Sequence, residues 1–109
     1  MSKQFYVYFV TNWKNTVLYT GVTSDLERRI YEHENKIKGG FTAQYNCRKL
    51  VYYEIYGSAE LALKREKTIK GWIRGKKNAL VDKLNPKWID IKKNNLQLPL
   101  DPSSQSSSG

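Results

Sequence analysis

Three groups of residues have types and spacings that could do chemistry. Tyr8 and Tyr19 are phenols on two neighbouring apolar segments. Arg29 and His33 are four residues apart, which makes them neighbours on one helix face. Glu66 is a single carboxylate among Lys64, Arg65 and Lys67. Brought together, the phenols, the guanidinium and the imidazole would make a donor-rich site suited to an anion. Each residue also has an ordinary structural role open to it. Strand tyrosines commonly pack a core, and Arg29 can lay its stem over apolar surface. His33 can be a satisfied buried side chain, and Glu66 can pair with Lys70 in the favourable i,i+4 order. Taken singly, none of them decides.

The elements that must position these residues follow from local pattern. Phe5–Val10 is aromatic and β-branched, which suits a strand. Alternation points Phe5, Val7 and Phe9 one way and Tyr6, Tyr8 and Val10 the other. The polar stretch Asn12–Asn15 reads as a turn, and Val17–Val22 as a second strand closing an antiparallel hairpin. Ser24 and Glu27 have capping-box spacing, so a helix is expected through about Lys38, ended by Gly39-Gly40. Leu26, Ile30, His33 and Ile37 form its inward stripe. Phe41–Lys49 reads as a loop anchored by Phe41 and Tyr45, and Leu50–Tyr56 as a third strand. Ser58 can cap a second helix running to Ile73, with Ala62, Ile69, Trp72 and Ile73 as its apolar side. Gly75 interrupts it, and a third helix spans Lys76–Leu84 before Asn85-Pro86. Trp88, Ile89 and Ile91 close back on the core. The expectation is an α+β fold: a small three-stranded, mainly antiparallel sheet flanked by helices, in the order β-β-α-β-α-α. Residues 1–93 form one domain and residues 94–109 a flexible polar tail.

Charge narrows the partner. The 109 residues carry 19 Lys plus Arg against 10 Asp plus Glu, a net charge of +9. The excess is concentrated between Ser58 and Lys93, and a positive surface of this kind attracts polyanions, nucleic acid first. The longest apolar or aromatic run is Phe5–Val10, far short of the about 20 residues a membrane span needs. Cys47 is the single cysteine, which excludes an intramolecular disulfide and a cysteine-rich zinc site. These features point to a cytoplasmic protein without membrane association, and they leave its oligomeric state open.

Taken in order, the motifs resemble one family. Tyr6-Val7-Tyr8, Tyr19-Thr20-Gly21, Asp25-Leu26, Arg29 with His33, Ala62-Leu-Lys-Arg-Glu66 and Leu84-Asn85-Pro86-Lys-Trp88 are together similar to the GIY-YIG endonuclease superfamily. The resemblance is closest to its small, single-domain, excinuclease-like bacterial members. It departs where Tyr6, Val7 and Thr20 replace the Gly and the two Ile of the signature, while both tyrosines and Gly21 are kept. The resemblance implies a metal-dependent endonuclease that hydrolyses DNA phosphodiester bonds on branched, damaged or structured DNA in repair or recombination. It implies Tyr19 as general base, Tyr8 bridging base and phosphate, and Arg29 supplying positive charge. It further implies His33 as an orienting group, Glu66 as the ligand of one divalent metal, Mg²⁺ or Mn²⁺, and Asn85 as a residue fixing the site's geometry. Gly21 would let the backbone approach the first helix. Lys64, Lys67, Lys70, Arg74, Lys76 and Lys77 would track the nucleic-acid backbone, with a protein partner supplying target choice. Two other readings stand beside it: a non-enzymatic nucleic-acid-binding module that keeps the fold and basic face, and an interaction domain whose lysines only maintain solubility.

Overall fold

The computed structural model describes residues 3–35 and 40–92. Three strands carry the aromatic and β-branched segments: β1 (Phe5–Thr11), β2 (Leu18–Thr23) and β3 (Lys49–Tyr56). They form one antiparallel sheet in the order β2-β1-β3. The hairpin turn is built by Asn12, whose Oδ1 accepts from Thr16 N (2.9 Å) and Val17 N (3.0 Å). Asn15 takes the left-handed conformation there (φ 58°), which asparagine tolerates better than most residues.

The register sets two faces. Tyr8 lies opposite Gly21 on one side and Tyr53 on the other, so Tyr6, Tyr8, Tyr19 and Tyr53 share a face. This face meets α1 (Leu26–Glu34) through Ile30 and His33, both buried. The opposite face carries Tyr52, Glu54 and Tyr56 and meets α3 (Ala59–Lys70), whose Ala62 and Ile69 are buried. Glu54 is sealed inside yet fully partnered. Arg65 clamps it with two bonds (Nε–Oε1 2.9 Å, Nη2–Oε2 3.0 Å), and the hydroxyls of Tyr52 and Tyr56 donate to it at 2.5 and 2.6 Å. A buried carboxylate is tolerable only when its lone pairs are satisfied in this way. The clamp therefore fixes α3, and with it Glu66, against the sheet.

The chain closes through α4 (Arg74–Leu84) and the segment after it. Trp88 and Ile91 are buried, and Ile91 N donates to Leu50 O (2.8 Å). The α+β architecture and its β-β-α-β-α-α order hold, with one added turn of helix.

Several boundaries differ from the sequence reading. Asp25, not Ser24, caps α1: its Oδ1 accepts from Arg28 N (3.2 Å). The helix stops at Glu34, because Asn35 Nδ2 donates to Tyr31 O (2.8 Å) and satisfies a terminal carbonyl. Ile37, Lys38 and Gly39 lie outside the described residues, as do Lys93 and the polar tail 94–109. Residues expected to be loop form the short helix α2 (Gly40–Gln44), entered through Gly40 at φ +74°. Ser58 caps α3 as expected, accepting from Leu61 N (3.2 Å). That helix ends at Gly71, however, and Gly75 sits inside the first turn of α4. Ile73 is consequently not core: it precedes α4 and is 79% exposed. Among the described residues no helix is long and apolar enough to cross a membrane.

Candidate functional site

Tyr8 is on the central strand and fully buried, with its ring lying across Gly21 of the edge strand. A Cβ at Gly21 would sit 2.5 Å from Tyr8 Cζ, closer than carbon atoms can approach. Glycine at 21 thus makes room for the phenol of Tyr8, rather than for the approach of the first helix. The Tyr8 hydroxyl meets His33 Nε2 at 2.9 Å, and His33 Nδ1 meets Thr42 Oγ1 at 2.9 Å. These two bonds occupy both ring nitrogens and join β1, α1 and α2.

Tyr19 stands beside this pair. Its ring centroid is 6.4 Å from that of Tyr8 and 5.8 Å from that of His33. Arg29, one helical turn before His33, acts on both phenols electrostatically. Its Nη1 also donates to Glu32 Oε1 (3.1 Å), and Arg28 Nε reaches Glu32 Oε2 at 3.5 Å. Glu66 acts on Tyr8 electrostatically from α3, on the other side of the sheet, and pairs with Lys70 Nζ at 3.1 Å.

The electrostatics separate the roles. Burial pushes the Tyr8 phenol far above its ordinary value, and Arg29 only partly offsets this; Tyr8 therefore keeps its proton and serves as a donor. Burial, reinforced by the charge of Arg29, lowers His33 to about 4. Its imidazole is neutral at pH 7, with one nitrogen donating and the other accepting. Tyr19 is half-buried, and the side chains of Arg29 and Glu66 are 27% and 16% exposed. The group is thus a buried scaffold, Tyr8–His33–Thr42, with Tyr19 and the partly exposed Arg29 beside it, and Glu66 is linked to it through its electrostatic effect on Tyr8.

The structure does not bring Asn85 to this cluster through any described bond. Its Nδ2 donates to Val51 O (3.0 Å) and Ile89 O (2.9 Å), and its Oδ1 accepts from Ile89 N (3.2 Å). Asn85 ties the closing segment to β3.

The basic residues divide by environment. Lys64, Lys67, Lys70 and Lys76 are exposed. Lys77 is partly buried, and desolvation followed by the charges of Arg74 and Lys70 lowers its pKa. Lys70, Arg74 and Lys77 therefore form one cationic cluster that begins at Glu66. Arg74 is also a tie: Nη2 donates to Asn15 O (2.7 Å) and Nη1 to Thr16 O (3.1 Å). Lys76 stacks on Trp72, 4.4 Å from the ring centroid.

Sequence reasoning missed Thr42, Glu32 and the Glu54–Arg65 clamp. Glu32 carries a local signal, being three and four residues from two arginines. Thr42 carries none, because its partner is nine residues back on another helix. Among the described residues no group of three or more His, Cys, Asp or Glu side chains could hold a metal. A lone carboxylate nevertheless fits a hard cation such as Mg²⁺, which retains most of its waters.

The chain has relatives among known proteins. Similar chains include a UPF0213 protein of Haloquadratum walsbyi, 37% identical over 82 residues (75% of this chain, 91% of that one). Another, from Staphylococcus saprophyticus, is 40% identical over 76 residues (70% and 92%), and a third, from Syntrophus aciditrophicus, is 39% identical over 87 residues (79% and 97%). The solution NMR structure of a UPF0213 protein from Bacillus halodurans is 32% identical, covering 72% of this chain and 83% of its own, with a TM-score of 0.47. The model of the GIY-YIG catalytic domain matches residues 4–78, the span that holds both tyrosines, Arg29, His33 and Glu66, and the chain belongs to the GIY-YIG family.

Proposed function

We propose that this protein is a divalent-metal-dependent endonuclease that hydrolyses DNA phosphodiester bonds, acting on branched, damaged or otherwise structured DNA in repair or recombination. The observation that carries the reading is the convergence of Tyr8, Tyr19, Arg29 and His33 from three elements, with Glu66 in electrostatic reach. Such hydrolysis needs an activated water and stabilisation of charge at phosphorus. Tyr19 is the general base, with the Arg29 guanidinium in electrostatic reach of its phenol. Arg29 holds the phosphate, with Glu32 fixing the guanidinium's orientation. Tyr8, buried beside Tyr19 and bonded to neutral His33, which Thr42 holds, fixes the surroundings of the base. Glu66 would hold the cation, Mg²⁺ or Mn²⁺, which would supply positive charge for phosphodiester hydrolysis. Lys64, Lys67, Lys70, Arg74, Lys76 and Lys77 give salt-dependent affinity without base specificity, and target choice comes from DNA shape or from a protein partner.

The test is a panel of branched, flapped, nicked and linear DNAs incubated with Mg²⁺ or Mn²⁺. Wild type is expected to nick at least one of them. Glu66→Ala and Tyr19→Phe abolish cleavage while leaving the melting temperature near that of wild type. Cleavage retained in both variants refutes the site assignment. Salt-sensitive binding without cleavage by wild type would leave a binding module in place of an enzyme.

A further inference from the structure

Two large aromatic side chains beside the site are left in solvent. Phe41 is 47% and Tyr45 43% exposed, although this small protein has a core to fill. Their rings lie 4.7 Å apart, and Phe41 is 6.1 Å from Tyr19. Tyr19, Phe41 and Tyr45 thus form a row running from the site outward along α2. The row is fixed in place. Thr42, on the same turn of helix, is buried and bonded to His33, and Cys47 N closes the turn onto Thr42 O at 2.9 Å. One residue of α2 therefore holds the site while its neighbours face solvent at a set position relative to it.

From this juxtaposition we infer that Phe41 and Tyr45 are a base-stacking platform that receives unpaired nucleobases of the DNA strand next to the phosphate held at Tyr19. The inference rests on the proposed cleavage site and adds a substrate class: DNA with unpaired bases at the cut. In a duplex the faces of the bases are covered by their neighbours, so only an unpaired base can lie on an exposed ring. Stacking on aromatic rings is tolerant of sequence. It complements the backbone contacts of the basic cluster, which cannot distinguish paired from unpaired DNA.

The experiment is a fluorescence anisotropy titration in EDTA with three labelled probes. They are a short single-stranded oligonucleotide, an abasic strand of the same length, and the corresponding blunt duplex. Phe41→Ala and Tyr45→Ala are each expected to weaken single-strand binding about tenfold, with less than about twofold change on the abasic strand and the duplex. Phe41→Trp is expected to restore single-strand affinity, and indole quenching by the single strand beyond that of wild type, which carries Trp13, Trp72 and Trp88, but not by the abasic strand, reports the stacked base. Equal losses on all three probes, or no loss on the single strand, overturn the platform. Because no metal is present, the result is independent of catalysis. Base-dependent binding without Mg²⁺-dependent cleavage would remove the nuclease reading alone, and cleavage without base-dependent binding would remove the platform alone.

Discussion

Lowering the pH should weaken the fold through one residue, His33. It is the chain's single histidine and is buried between Tyr8 and Thr42. Burial first, and then the Arg29 charge, oppose its protonation while Glu32 weakly favours it, leaving the folded-state value at about 4 against an ordinary 6.5. Between those values the unfolded chain binds the proton and the folded one does not. Stability is therefore full above pH 6.5 and falls as the pH drops toward 4. Linkage gives a loss of about 2 kcal/mol between about pH 7.5 and about pH 5. With a urea slope of about 1 kcal/mol per molar, the unfolding midpoint should move down by about 2 M. Carboxylates contribute to the same slope, so the comparison is with His33→Gln, which has no titrating ring. That variant should be less stable at neutral pH but should lack most of the decline above about pH 5. The imidazole resonances of wild type should also fail to titrate near 6.5. Parallel pH slopes in the two proteins, or an imidazole titrating at its ordinary value, would refute the account of His33 as a neutral link.

Other perturbations read separate parts of the structure. Gly21→Ala drives a methyl into the Tyr8 ring; it should cost about 1–3 kcal/mol in urea unfolding and reduce any cleavage by displacing the Tyr8 hydroxyl. Glu54→Gln leaves the Arg65 guanidinium without its carboxylate, a loss of about 3 kcal/mol visible as a lower melting temperature, and Arg65→Lys should not restore the two-bond clamp. Asn85→Ala strands the carbonyls of Val51 and Ile89 and should destabilise by about 2 kcal/mol, detected by faster amide exchange in β3 and the closing segment. Retention of wild-type stability by that variant would show that its bonds are dispensable.

Local pattern determined much of this protein. Runs of aromatic and β-branched residues placed the strands, because such side chains fit a packed, pleated surface, and Ser58 marked the start of α3 because a cap is a contact between chain neighbours. The ordered motifs likewise held Tyr8, Tyr19 and His33, whose rings the fold brings side by side. Other features exist only once the chain is folded. That α2 is helical and holds His33 through Thr42 depends on a partner nine residues away on a different helix. Glu54 reads locally as a polar residue in a strand. Its burial is tolerable because Arg65, Tyr52 and Tyr56 arrive from two elements to satisfy it. The reason for Gly21 is the ring of Tyr8 across the strand, and Asn85, which belongs to the motif, is bonded to backbone instead. Short-range sterics and periodicity are written in neighbouring residues, whereas desolvation and the pairing of buried polar groups are settled by which distant side chains the packing brings together.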